Sequence, residues 1–302
     1  MKMAAIVNLH AGSGRAGKLW PQVADKFDHV DVKFTRGAGH ATELTRELLG
    51  RGVDRILAVG GDGTIHEIVN GWLDGDRPIR EEATLAVLPF GTGSDYRKTL
   101  GIREFEDAFA LAHEPGPFSS IDLGRIGYQS HAGRRESRLF MNVVSFGMGG
   151  EVALASKNVF SRLGGKAAFQ YATLKVFLTY RARTAALELD GADKGSHQIT
   201  NIAIGIGRYH GGGMHVCPRS KLDDGLFEVT IIRKLAAWEL ARDLPVLYSD
   251  DLYVHPKVDH HRAERVIAQS TEKVSIEVDG EALGTLPVEL SVLPQVIRVA
   301  RR

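Results

Sequence analysis

The chain has 302 residues, 43% of them hydrophobic and 25% charged, enough apolar content for a substantial core and for two domains. Lys and Arg total 38 against 37 Asp and Glu, so no global field argues for a nucleic-acid partner or an anionic membrane, and membrane contact is expected to be local, mostly apolar and transient. The single cysteine, Cys217, excludes an internal disulfide and a cysteine-based zinc site.

The first half alternates strand and helix. Ala4–Asn8 reads as a short strand running into a Gly-rich turn, which leaves no signal-peptide core in the N-terminal run and fits a cytoplasmic protein. Trp20–Phe27 reads as helical, Val30–Thr35 as a strand, and Ala41–Leu49 as an amphipathic helix ended by Gly50 and Gly52. Arg55–Val59 is a strand, Gly60–Thr64 a turn, Ile65–Leu73 a helix, and Thr84–Leu88 a buried strand leading to the turn Gly91–Gly93. Such βα alternation predicts a mostly parallel sheet covered by helices.

After Ile121–Ile126 strands dominate: Met141–Phe146, Ala185–Leu189, Ile199–Ile206, Leu226–Ile232, Val274–Val278 and Val288–Val292. One long helix, Ala167–Tyr180, interrupts them, with Phe169, Ala172, Val176 and Tyr180 along one face. It reads as a cover for the β-rich domain, with a lid over an acyl-chain pocket as the second reading. Gln129–Ser137 and Gly191–Ser196 read as connections or hairpin tips. The expected fold is α/β plus β. Residues 1–126 are expected to form the α/β domain and 127–302 the β-rich one.

The turn Gly60-Gly61-Asp62-Gly63-Thr64 carries the most chemistry. Glycines at a strand end let the backbone approach a phosphate, and the following helix N-terminus favours negative charge. Asp62 repels phosphate unless a cation intervenes or unless it accepts a proton from an attacking hydroxyl; both roles point to phosphoryl transfer. An ordinary βα turn with Asp as a cap is the plain alternative. His66, on the helix opened by Thr64, is a candidate to face the nucleotide. The next strand ends the same way, in Gly91-Thr92-Gly93-Ser94-Asp95, and Asp122 sits in Ile121-Asp122-Leu123-Gly124. Three carboxylates at neighbouring strand ends form a candidate metal and water network.

These residues, in this order, resemble the diacylglycerol kinase catalytic-domain superfamily, especially its bacterial soluble lipid kinases. The resemblance runs from Asn8, Ser13 and Gly14 through GGDGT and GTGxD. It continues through FMNVVSFGMGGEV (140–152) and GGGMHVCPRSKLDDGLFEV (211–229) to VDGE (278–281). It implies a Rossmann-like nucleotide domain over 1–126 joined to a β-sandwich over 127–302, whose final strand has the option of returning to the first domain, with ATP as phosphoryl donor, Mg²⁺, and a lipid alcohol such as diacylglycerol as acceptor. It places ATP contacts at Thr35, Gly61 to Glu67 and Thr92, within a nucleotide set of Asn8, Ser13, Gly14, Gly60, Gly63, Thr64, Gly91, Gly93 and Asp95. It implies an acidic network of Asp62, Asp95 and Asp122, and a structural metal site at Lys221, Asp224 and Leu226. Asp279-Gly280-Glu281 would hold the catalytic base, Glu281 ahead of Asp279. Read without the resemblance, Asp223-Asp224-Gly225 and Asp279-Gly280 are hairpin-turn signals. Two positions depart from the family: Ser94 where Asn is usual, and Leu9 where Pro follows the first Asn. Arg15 and Lys18 are candidate charge partners for phosphates. His210, His215, His260 and His261 lack zinc spacing and read as surface or loop residues. A NAD kinase and a catalytically inactive lipid-binding module are the rival readings, and a homodimer stays open.

Overall fold

The computed structural model describes residues 1–91, 95–113, 116, 118–163 and 165–301. The chain divides into two compact units, Met1–Leu123 with Leu293–Arg302, and Gly124–Val292.

In the first unit, strands β1 (Met3–Val7), β2 (Asp31–Phe34), β3 (Arg55–Gly60) and β4 (Thr84–Pro89) pair in the order β2-β1-β3-β4, all parallel. The end of a later strand adds to β4, also parallel, through Arg298 opposite Thr84 and Val299 opposite Leu85. The central runs MAAIV, RILAVG and TLAVLP are buried almost throughout, the pattern of strands covered on both faces. Helix α1 (Arg15–Leu19) precedes two short 3₁₀ turns, Trp20–Gln22 and Ala24–Phe27, where a single helix over Trp20–Phe27 is expected from sequence. Helix α2 (His40–Gly50) buries Ala41, Leu44, Thr45, Leu48 and Leu49, one stripe at helical spacing. Helix α3 (Asp62–Asn70) begins inside the expected turn and ends three residues before Leu73, which instead opens a two-residue β-ribbon with Arg77–Pro78. Helices α4 (Asp95–Thr99) and α5 (Phe105–His113), outside the expected set, complete the unit.

The second unit is antiparallel. Its strands are β5 (Phe118–Ser130, entered from the first unit), β6 (Arg135–Phe140), β7 (Val143–Gly147), β8 (Arg183–Leu189) and β9 (Ala192–Gly205). They are followed by β10 (Phe227–Arg233), β11 (Val258–Ala263), β12 (Arg265–Gln269), β13 (Ser275–Val278) and β14 (Glu281–Ala300). Strand β9 pairs with β8 through its first half and with β7 and β10 through its second, so one strand serves two layers. The β8–β9 turn is only Asp190-Gly191, both at positive φ, not the longer tip expected over Gly191–Ser196. Two helices stand where one is expected: α6 (Met148–Leu163) and α7 (Gly165–Thr179), which pack on each other. The side chains of Phe169 and Ala172, part of the expected apolar face, lie outside the described residues. A short α8 (Ala237–Asp243) contacts α7. No helix among the described residues is long and apolar enough to cross a membrane.

Candidate active site

Three loops of the first unit are knitted together at the carboxyl ends of β1, β3 and β4. The Asn8 amide donates to Thr64 Oγ1 at 3.1 Å, and Asn8 Oδ1 accepts the His10 N–H at 3.1 Å. Gly60 O accepts N–H groups from Phe90 at 2.8 Å and Gly91 at 3.0 Å. A Cβ at Gly60 would lie 2.4 Å from Thr64 Oγ1, and one at Gly61 would lie 3.2 Å from Gly91 Cα. Glycine is therefore demanded by contact at Gly60, and a side chain at Gly61 would be tight, before any ligand is considered. Gly12, at φ +63°, approaches the same place: a Cβ there would stand 2.8 Å from the Phe90 carbonyl. Ser13 and Gly14 follow it at positive φ.

Asp62 is half-buried at the start of α3. Its Oδ2 accepts the Asp95 N–H at 2.9 Å and its Oδ1 the Tyr96 N–H at 3.3 Å, so one carboxylate fastens the second glycine turn to the first. Asp95 is 6% exposed, with Lys98 Nζ at 3.3 Å from its carboxylate. Asp122 is buried and accepts the Gln295 N–H at 2.9 Å, which ties it to the returning segment of the chain. Asp62 and Asp95 are thus brought into one loop pair. Among the described residues no group of three His, Cys, Asp or Glu side chains is arranged to hold a metal.

The other candidates of this unit divide. The Thr35 N–H continues the sheet by donating to Val7 O at 2.9 Å. Glu67 holds the start of α2: its Oε2 accepts the Ala41 N–H at 3.1 Å, and its carbonyl accepts from Thr42 Oγ1. The His66 ring is buried, with Nε2 at 3.3 Å from the Asn70 amide nitrogen. Thr92, Gly93 and Ser94 lie outside the described residues. A cavity of about 440 Å³ opens beside Gly91 and is lined by Arg15, Arg97 and Arg103 together with Phe90 and Phe105. Arg97 and Arg103 escape the sequence reading because they belong to no motif; the basic cluster Arg97-Lys98 followed by Arg103 is the signal that could have found them.

In the second unit, Asp279 and Glu281 separate sharply. Asp279, at φ +48° and 7% exposed, accepts backbone N–H groups from Met141 at 3.2 Å and from Asn142 and Val143 at 3.1 Å each. Three such donors fix the carboxylate in place. Glu281 is exposed, the first residue of β14. Between them Gly280, at φ +94°, donates its N–H to the carboxylate of Glu277. Glu277 also accepts from Ser145 Oγ at 2.9 Å and has His210 Nδ1 3.4 Å away; its burial pushes its carboxyl above the usual range. Sequence reasoning missed Glu277. Its signal is an acid inside the otherwise apolar strand Ser275–Val278. His210 lies in a loop, as expected, with its ring largely covered, whereas His260 is neither surface nor loop: it sits on β11, 3.5 Å from buried Glu228.

At the expected structural metal site, Asp224 Oδ1 accepts the Leu226 N–H at 3.3 Å and Oδ2 is paired with the Arg262 guanidinium. The Asp224 carboxylate is thus paired with a guanidinium, which a metal ion at this place would have to displace.

Residues 2–126 match the diacylglycerol kinase catalytic domain, and residues 142–301 match the YegS C-terminal NAD kinase beta sandwich-like domain. A "Probable lipid kinase YegS-like" of Pseudomonas fluorescens Pf-5 is 31% identical over 271 residues, 89% of this chain and 85% of its own length. A diacylglycerol kinase of Bacillus subtilis 168 is 29% identical over 306 residues, 99% of this chain and 96% of its own length. The crystal structure of a diacylglycerol kinase from Bacillus anthracis Sterne superposes with a TM-score of 0.70 at 22% identity, covering 100% of this chain and 97% of that one; at that identity it speaks for the fold.

Proposed function

This chain belongs to the family of YegS-like and diacylglycerol-kinase-type lipid kinases, and from that premise we propose that it moves the γ-phosphoryl group of ATP onto the hydroxyl of a lipid alcohol, with diacylglycerol the first candidate. The observation that carries the reading is the bond from Asp62 to the Asp95 and Tyr96 N–H groups, which joins two glycine turns into one cradle.

The backbones of Gly60–Thr64 and Gly91 approach the phosphates, and Arg15, Arg97 and Arg103 supply positive charge beside Gly91. Asp62, Asp95 and Asp122 do not form a metal cluster as placed, and Mg²⁺ arriving with the nucleotide would meet these carboxylates and supply charge neutralisation there. Glu281 takes the proton of the attacking lipid hydroxyl as the oxygen–phosphorus bond forms and ADP leaves. Asp279 sets the turn on which Glu281 stands and, with its oxygens occupied by three backbone donors, does not act as the base. Positioning and charge stabilisation supply most of the acceleration.

The test is transfer of label from γ-³²P-ATP with Mg²⁺ across diacylglycerol, monoacylglycerol, sphingosine, phosphatidylglycerol and NAD. Label in one lipid is the expected result and names the acceptor. Label in NAD alone makes the chain a NAD kinase, and absence of both transfer and ATP binding makes it an inactive lipid-binding module.

A further inference from the structure

Charge is balanced over the whole chain but not along it. From Val152 to Leu187 the sequence holds no Asp or Glu and six Lys or Arg. This stretch contains α7 and most of α6. The exposure of α7 is two-sided. Val176 is buried and Thr173, Phe177 and Tyr180 are half-buried, whereas Tyr171, Leu174 and Leu178 are 52%, 59% and 68% exposed. At 100° per residue Tyr171, Leu174, Lys175 and Leu178 share one arc of about a quarter turn, opposite Val176. Three large apolar side chains and a lysine thus face water along one stripe. Lys175 and Arg181 are exposed, and Arg183 is paired with Glu272 at 3.2 Å. Helix α8, which α7 touches, adds Trp238 at 64% exposure with the Arg242 guanidinium 5.1 Å from its ring.

We infer that the outer face of α7 docks on the surface of an anionic lipid bilayer, laying Tyr171, Leu174 and Leu178 into the headgroup boundary while Lys175 and Arg181 meet lipid charge. This deepens the lipid-kinase reading and rests on it for the choice of partner. An apolar stripe flanked by Lys and Arg, with an aromatic at its edge, is the chemistry of a helix that lies in a membrane interface rather than across it. A second copy of this chain fits the face poorly, because pairing two acid-free basic segments brings like charges together.

The experiment uses the full chain and vesicles of phosphatidylcholine, with or without phosphatidylglycerol, the bound fraction being read by sedimentation. Wild type pellets with the phosphatidylglycerol vesicles, much less with phosphatidylcholine alone, and is released as salt rises. The double variant Leu174→Asp/Leu178→Asp weakens binding at least ~tenfold, and Lys175→Glu weakens it about fivefold. Circular dichroism of all three is unchanged, since the altered side chains are exposed. Wild-type binding by the double variant, or indifference of wild type to phosphatidylglycerol, overturns the inference. So does a wild-type dimer that the double variant splits while vesicle binding stands, which assigns the face to self-association. Phosphoryl transfer is measured separately on detergent-dispersed lipid. Transfer without vesicle binding sinks the docking face alone, and vesicle binding without transfer sinks the kinase reading alone.

Discussion

Each unit is built around an aspartate that ties loops by accepting backbone N–H groups, and the two do it differently. Asp62 is half-buried and takes donors from Asp95 and Tyr96, drawing one glycine turn onto another. Asp279 is buried and takes donors from Met141, Asn142 and Val143, fixing the turn that presents Glu281. The first aspartate joins two glycine turns, and the second fixes the turn that carries its neighbour. Residue type and a flanking glycine do not distinguish them, whereas their burial does.

Substitutions sharpen this contrast. Asp62→Asn lowers kcat about 10²–10³-fold in the label-transfer assay with a melting temperature near that of wild type, because it removes charge from the proposed reacting region and keeps an acceptor oxygen. Glu281→Gln lowers it by about 10²-fold or more, and its exposed position leaves stability within about 0.5 kcal/mol. Wild-type turnover in either variant would break the assignment. Asp279→Ala strands three backbone donors in a buried place and costs about 3 kcal/mol or more in urea unfolding, so activity lost in this variant accompanies lost fold. If Asp279→Ala is instead stable and inactive, Asp279 is chemical and the contrast fails.

Two smaller effects test the frames around these residues. Gly60→Ala forces a methyl against Thr64 and costs about 1–3 kcal/mol. Glu277 tests the support beneath the second turn. Burial raises its folded pKa above the unfolded value of 4.5. Stability from its protonated form is complete below that value and is lost as pH rises through the folded one. Glu277→Gln has no such loss, so its melting temperature gains on wild type over the pH range above the unfolded value of 4.5. A constant difference across that range would show that Glu277 does not titrate there.

The glycine turns were legible because strand, glycines and helix follow each other within a few residues. The Asp279 latch was not, since its partners lie more than 130 residues earlier. Helix α6, outside the expected set, carries Gly149 and Gly150 in its first turn. A Cβ at Gly150 would lie 2.1 Å from Ser275 O, so packing against β13 demands glycine inside a helix. Strand β14 hid behind Gly284 and Pro287 for a similar reason: a Cβ at Gly284 would meet Gln129 O at 1.9 Å. In each case close approach of two backbones overrode local propensity, and a single sequence carries no mark of it.

The return of Leu293–Arg302 to the first unit bears on how the chain is made. Domains generally fold as they leave the ribosome, the N-terminal one first. Here the glycine turns are translated before the second unit, yet the strand residues Arg298 and Val299 beside β4, and the Gln295 N–H that holds Asp122, come after all of it. The first unit therefore closes only once the whole of the second has been made.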